Sequence, residues 1–116
     1  MAKPLTYKLN LDHSFSPCSE EEAQTQFKNP ETKRVAMSYL DDYRISTVFL
    51  TIDHGVNEVV LFETMVFSAG DEDVAEMDCY QQRYQTWDEA WEGHMTVCKR
   101  LAEQIKLGIE SSLFEL

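Results

Sequence analysis

Between Lys33 and Phe67 the chain reads as a series of β-strands. Lys33–Leu40 (KRVAMSYL), Tyr43–Ile52 (YRISTVFLTI) and Glu58–Phe67 (EVVLFETMVF) are dense in β-branched and aromatic residues. Asp41-Asp42 separates the first two as a turn, and Asp53-His54-Gly55 interrupts the next pair, which is the signal of a hairpin. The second and third runs place apolar residues at successive positions, as in Val48-Phe49-Leu50 and Leu61-Phe62. A half-exposed strand alternates instead, so these two are expected to be central, with both faces covered. Cys79–Gln85 is shorter and more polar and suits an edge strand.

From Trp87 the period changes to that of a helix: Trp87, Trp91, Met95, Cys98, Leu101, Ala102 and Ile105 follow i, i+3, i+4 spacing. Thr86 and Glu89 form a capping box ahead of it, Lys99, Arg100 and Lys106 fall late, and Gly108 can end it. The spacing predicts a helix over 87–106. The first thirty residues have no clean period. Leu5, Tyr7, Leu9 and Leu11 alternate with polar residues as in an edge strand, and Ser19 followed by Glu20-Glu21-Glu22 resembles a helix start. Pro30 ends any such helix by Asn29, leaving a short helix or an arm over 1–30. The expectation is a single α+β domain: an antiparallel meander sheet of about four strands within 33–85, with the C-terminal helix on one face. Phe49, Leu50, Leu61, Phe62, Met65, Trp91 and Leu101 are expected in its core.

Composition fits a soluble globular chain: of 116 residues, 43% are hydrophobic and 27% charged. The net charge of −11 is local. Residues 58–92 carry ten acids and one base, whereas 93–116 are balanced. The densest part, Asp71, Glu72, Asp73, Glu76 and Asp78, is expected to be a solvated loop. So acidic a surface argues against binding a nucleic-acid backbone, which needs cations to displace counterions. No uncharged apolar stretch approaches the roughly 20 residues of a membrane span, and no basic n-region leads into an apolar run. A cytoplasmic setting is expected. The three cysteines, Cys18, Cys79 and Cys98, form no CxxC pair and fit reduced, partly buried thiols.

The strings STVFLTIDH (46–54), LFETMVF (61–67) and RYQTWDEAWEGH (83–94) together resemble a family of small uncharacterised proteins that recurs in tailed-bacteriophage and prophage genomes. The resemblance covers 46–94, under half of the chain. It implies a phage context, and it carries no catalytic role to transfer.

Candidate chemistry is sparse. Asp53 and His54 at a strand end, Glu58 and Glu63 on the next strand and His94 on the helix make the one acid/histidine cluster to weigh for metal binding or hydrolysis. Pairing Ile52 near Val59 places Glu63 opposite Val48, residues away from His54, which separates the members. The plainer expectations are a turn pair bonding its own backbone for Asp53-His54, an edge-facing or paired carboxylate for Glu63, and a polar flank position for His94. Neither a nucleophile elbow nor a Walker loop, GxGxxG or HExxH is present. No cofactor is expected. Tyr80, Tyr84, Trp87 and Trp91 admit two readings, core packing or an exposed aromatic patch rimmed by Asp88, Glu89 and Glu92.

The leading functional expectation is therefore protein–protein interaction, with inhibition of a host factor through an acidic surface as its specific form. Asp71, Glu72, Asp73, Glu76, Asp78, Trp87, Asp88 and Glu92 are the residues expected to meet a basic partner. A virion or assembly accessory is the alternative, and an enzyme or metal site on Asp53, His54, Glu63 and His94 the second. Composition leaves the oligomeric state open.

Overall fold

A computed structural model describes residues 5–68 and 81–107. The expected meander is there. Strands β3 (Arg34–Leu40), β4 (Tyr43–Phe49), β5 (Phe62–Ser68) and β6 (Gln81–Tyr84) form one antiparallel sheet in that order. Helix α3 (Trp87–Leu107) packs along one face of it. Ahead of the sheet stand a small hairpin, β1 (Tyr7–Leu9) with β2 (Phe15–Pro17), and two helices, α1 (Glu20–Lys28) and α2 (Pro30–Lys33).

Several boundaries differ from the sequence expectation. Lys33 closes α2 instead of opening β3, because Pro30 at the first helical position and the Asn29 side chain capping Glu31 favour a helical turn. β4 ends at Phe49 and β5 begins at Phe62, so Ile52 and Glu58–Leu61 lie outside the ladder. Leu50 N–H still bonds to Leu61 O at 2.7 Å, after which Thr51 takes φ 64° and turns the chain away. Ile52 then bridges to Thr6, which ties the N-terminal hairpin to the sheet.

That hairpin was not foreseen beyond its first strand. Its second strand is only three residues long, too short for a period to register. Helix α1 begins with a capping box between Ser19 and Glu22 and ends at Lys28, as the acids and Pro30 imply. It grips β1 through Gln26, whose amide oxygen accepts from Leu9 N–H at 2.8 Å while its NH₂ donates to Leu9 O at 3.1 Å.

The α3-facing side of the sheet is organised in rows. Phe49 pairs with Phe62, Thr47 with Thr64 and Ile45 with Val66, and all six residues are fully buried. The first row anchors one apolar cluster with Tyr7, Val35, Leu61 and Ala90, and the Phe49 and Phe62 rings meet edge-on at 5.3 Å. The third row anchors a second cluster with Val97 and Leu101. The threonine row divides them.

α3 repeats this order with Ala90, His94, Val97 and Leu101 along its buried stripe. This phase corrects two expectations. Trp91, expected in the core, is 46% exposed, and His94, expected on a polar flank, is fully buried. Leu50 and Met65 are half-buried.

The opposite face also departs from expectation. Met37, Arg44, Ser46, Val48, Met65 and Phe67 lie there half-buried, Tyr39 is exposed, and among the described residues no helix packs across them. Their own side chains shelter that face, as where the Arg44 guanidinium sits 4.2 Å from the centre of the Phe67 ring.

Candidate functional site

The acid/histidine cluster does not assemble. Asp53 organises its own loop: one carboxylate oxygen accepts from Gly55 N–H at 2.8 Å and from Val60 N–H at 2.9 Å. His54 is exposed on that loop, as is Glu58. Glu63 lies opposite Val48, as the pairing argument requires, and its side chain belongs to the face away from α3. There it accepts from Arg83 Nε at 3.0 Å and from the Gln81 amide at 2.6 Å. His94 is on the other side of the sheet. Among the described residues no group of three His, Cys, Asp or Glu side chains converges as a metal site requires.

His94 instead closes a chain of hydroxyls. Its Nε2 lies 2.8 Å from Ser38 Oγ on β3, its Nδ1 lies 2.7 Å from Thr47 Oγ1 on β4, and Thr47 is hydrogen-bonded in turn to Thr64 on β5. A neutral imidazole has one donor and one acceptor, and hydroxyls can do either, so every member is satisfied without a charge. Burial lowers the pKa of His94, which favours that neutral form.

A serine hydroxyl against an imidazole is the nucleophile–base pair of a catalytic triad. The third member is not a carboxylate here: Nδ1 meets a threonine hydroxyl where a carboxylate would stabilise an imidazolium. The ring itself is closed to solvent. The arrangement fastens α3 to three strands at once and fills the polar row between two apolar clusters.

The sequence carried a signal for this network. Ile45-Ser-Thr47-Val-Phe49 and Phe62-Glu-Thr64-Met-Val66 each put a threonine on an otherwise apolar face, and His94 falls between Ala90 and Val97 at helical spacing. Gly93, its neighbour, has a separate reason. A β-carbon there would come within 2.2 Å of the Tyr84 hydroxyl, so the tyrosine ring rests on bare helix backbone.

The solvent side of α3 presents a different arrangement. Thr86 Oγ1 accepts from Glu89 N–H at 3.1 Å, and a Glu89 carboxylate oxygen accepts from Thr86 N–H at 3.2 Å, which makes the expected capping box. Beyond it Trp87, Trp91 and Met95 follow at intervals of four and share one face. Trp87 is half-buried: it packs against the first apolar cluster and His13 stacks on it, with ring centres 3.6 Å apart and planes 9° from parallel. His13 reaches this position from the tip of the β1–β2 hairpin, where it takes φ 73°.

Asp12 fixes that tip by accepting from the Ser14 N–H and hydroxyl, bonds that lower its pKa. The hairpin tip and the start of α3 border an open cleft of about 420 Å³. Trp91 and Met95 continue the face at 46% and 43% exposure. Asp88 and Glu92, one turn apart, are exposed beside them.

Of the residues expected to meet a partner, Trp87, Asp88 and Glu92 therefore come together on the first turns of α3. Asp71, Glu72, Asp73, Glu76 and Asp78 lie outside the described residues, as do Cys79 and Tyr80. His13 and Met95 were missed: nothing in sequence joins residue 13 to residue 87, and Met95 counts there only among the apolar positions at helical spacing. Cys18 and Cys98 are free and half-buried, and burial with the nearby Glu22 raises the Cys18 thiol. Among the described residues no helix is long and apolar enough to cross a membrane. Comparison with protein-family models, with curated proteins and with solved structures finds no match for this chain.

Proposed function

We propose that this chain acts by binding another protein through the solvent-facing start of α3, as a small acidic protein of the tailed-phage type working in the host cytoplasm. The observation that carries the reading is the placement of Trp91 and Met95, 46% and 43% exposed, in line with Trp87. Large apolar side chains on a helix normally seek the core, whereas Trp91 and Met95 stay outside both apolar clusters and the buried stripe is Ala90, His94, Val97 and Leu101. The stack with His13 holds Trp87 in place before any partner arrives, which lowers the ordering cost of association.

Asp88 and Glu92 set the character of the partner: an apolar recess bordered by lysine or arginine. Aromatic anchors inside a charged border are the composition of interface hot spots. Inhibition of a host factor would follow if that recess is the factor's own binding site for an acidic ligand. The acids of 71–78 would add long-range steering, since nine of the eleven excess negative charges belong to residues 58–92.

The test is capture of host proteins on the immobilised chain, followed by salt elution. Asp88→Asn with Glu92→Gln is expected to weaken the captured complex and flatten its salt dependence, while Glu20→Gln with Glu22→Gln on α1 leaves both unchanged. Equal losses from the two pairs would reduce the acidity to a solubility device.

A further inference from the structure

The sheet ends on β3, and that edge suits a second copy of the same chain. β3 is seven residues long and, among the described residues, pairs with β4 on one side only, so its outer row of backbone N–H and C=O groups meets no other described strand. Such an edge is a template for another strand. The other edge, β6, is four residues long. A bulge interrupts β3 between Arg34 and Ala36, which leaves Ala36–Leu40 as the regular stretch.

We propose that two copies of this chain pair antiparallel along β3, joining two four-stranded sheets into one of eight strands. The charges around the strand select a copy of itself over another extended segment. Lys33 and Arg34 stand at its start and Asp41 and Asp42 just after its end. Arg34, Asp41 and Asp42 are exposed, and among the described residues none of them takes part in an ion pair. A two-fold axis near Ser38 brings Arg34 of each copy to the Asp41-Asp42 turn of the other, so both ends are matched at once.

The same register brings Tyr39, 72% exposed on the face away from α3, beside Met37 of the second copy. The chain's overall charge does not prevent this. Its negative excess lies in residues 58–92, whereas Lys33, Arg34, Asp41 and Asp42 cancel. This inference stands apart from the reading of α3, whose exposed stripe lies on another surface.

The experiment is sedimentation velocity on the full chain over a concentration series, with circular dichroism to confirm folding. The wild type is expected to approach twice the chain mass as concentration rises. Arg34→Asp and Asp42→Arg are each expected to raise the dimer dissociation constant by about tenfold or more, because each turns two attractions into repulsions. An equimolar mixture of the two variants restores the dimer, since each copy then supplies the charge that the other needs. The doubly swapped chain, Arg34→Asp with Asp42→Arg, restores it alone. A wild type that stays monomeric throughout overturns the proposal, as does a dimer indifferent to either single substitution. Folded single variants whose mixture stays monomeric would also overturn it.

Discussion

His94 Nδ1 lies 2.7 Å from the Thr47 hydroxyl, and both side chains are fully buried between two apolar clusters. The contact joins α3 to the second strand of the sheet, and Ser38 and Thr64 extend it to the strands on either side. Because no carboxylate takes part, the network is neutral and depends on the imidazole staying so.

That dependence fixes the pH behaviour. Burial lowers the pKa of His94 in the folded state, so near and below the ordinary histidine value the unfolded chain binds more protons than the folded one. The stabilisation is therefore complete above about pH 6.5 and is lost as pH falls below it, at a rate of at most about 1.4 kcal/mol per pH unit. Urea denaturation at pH 7.5 and 5.5 is expected to show the wild type losing stability at the lower pH. His94→Gln, less stable at pH 7.5, should lose less between the two.

Gly93 gives a prediction with an unusual sign. In an exposed helix Gly→Ala gains up to about 1 kcal/mol from propensity. Here the new β-carbon meets the Tyr84 hydroxyl at 2.2 Å and its ring at 2.3 Å, and overpacking of this kind costs about 1–3 kcal/mol. Gly93→Ala is expected to lower the melting temperature, and removing the ring as well in Tyr84→Ala/Gly93→Ala should cost less than the two single changes added. A stabilised single variant would mean that Tyr84 does not rest on the helix.

The helix start depends on its cap. Thr86→Ala removes the acceptor for Glu89 N–H and is expected to cost about 0.5–2 kcal/mol in thermal or chemical unfolding. Thr86→Ser keeps the oxygen and should recover most of the loss.

The parts of this fold that were legible share a cause, a strong local pattern. Tyr43–Phe49 and Phe62–Ser68 are β-branched and aromatic along their length, and the pairing of Val48 with Glu63 followed from the turn between them. The capping boxes at Ser19 and Thr86 need only four residues each to be read. What escaped was set by tertiary contacts.

The phase of α3 is the clearest case. Placing Trp91 in the core, on one apolar spacing with Met95, turns the helix about its axis, because a buried histidine does not count as apolar in a periodicity argument. The partner that accommodates His94 is a pair of threonines on strands 47 and 30 residues away in sequence, which no local window contains. The stack of His13 on Trp87 spans a still longer separation. The face of the sheet away from α3 misled for another reason: Val48, Met65 and Phe67 look like residues that need a covering layer, and in the structure they are half-buried by their neighbours.

The central claim, that the outward face of α3 is a binding surface, is tested most directly by Trp91→Ala. The ring is 46% exposed and outside both apolar clusters, so unfolding stability is expected to change by less than about 1 kcal/mol. The measurement is capture of proteins from a cell lysate by wild type and variant at equal concentration, quantified beside their melting curves. The account predicts a variant that melts with the wild type and loses the captured protein. A variant that melts with the wild type and retains it in full would contradict the account.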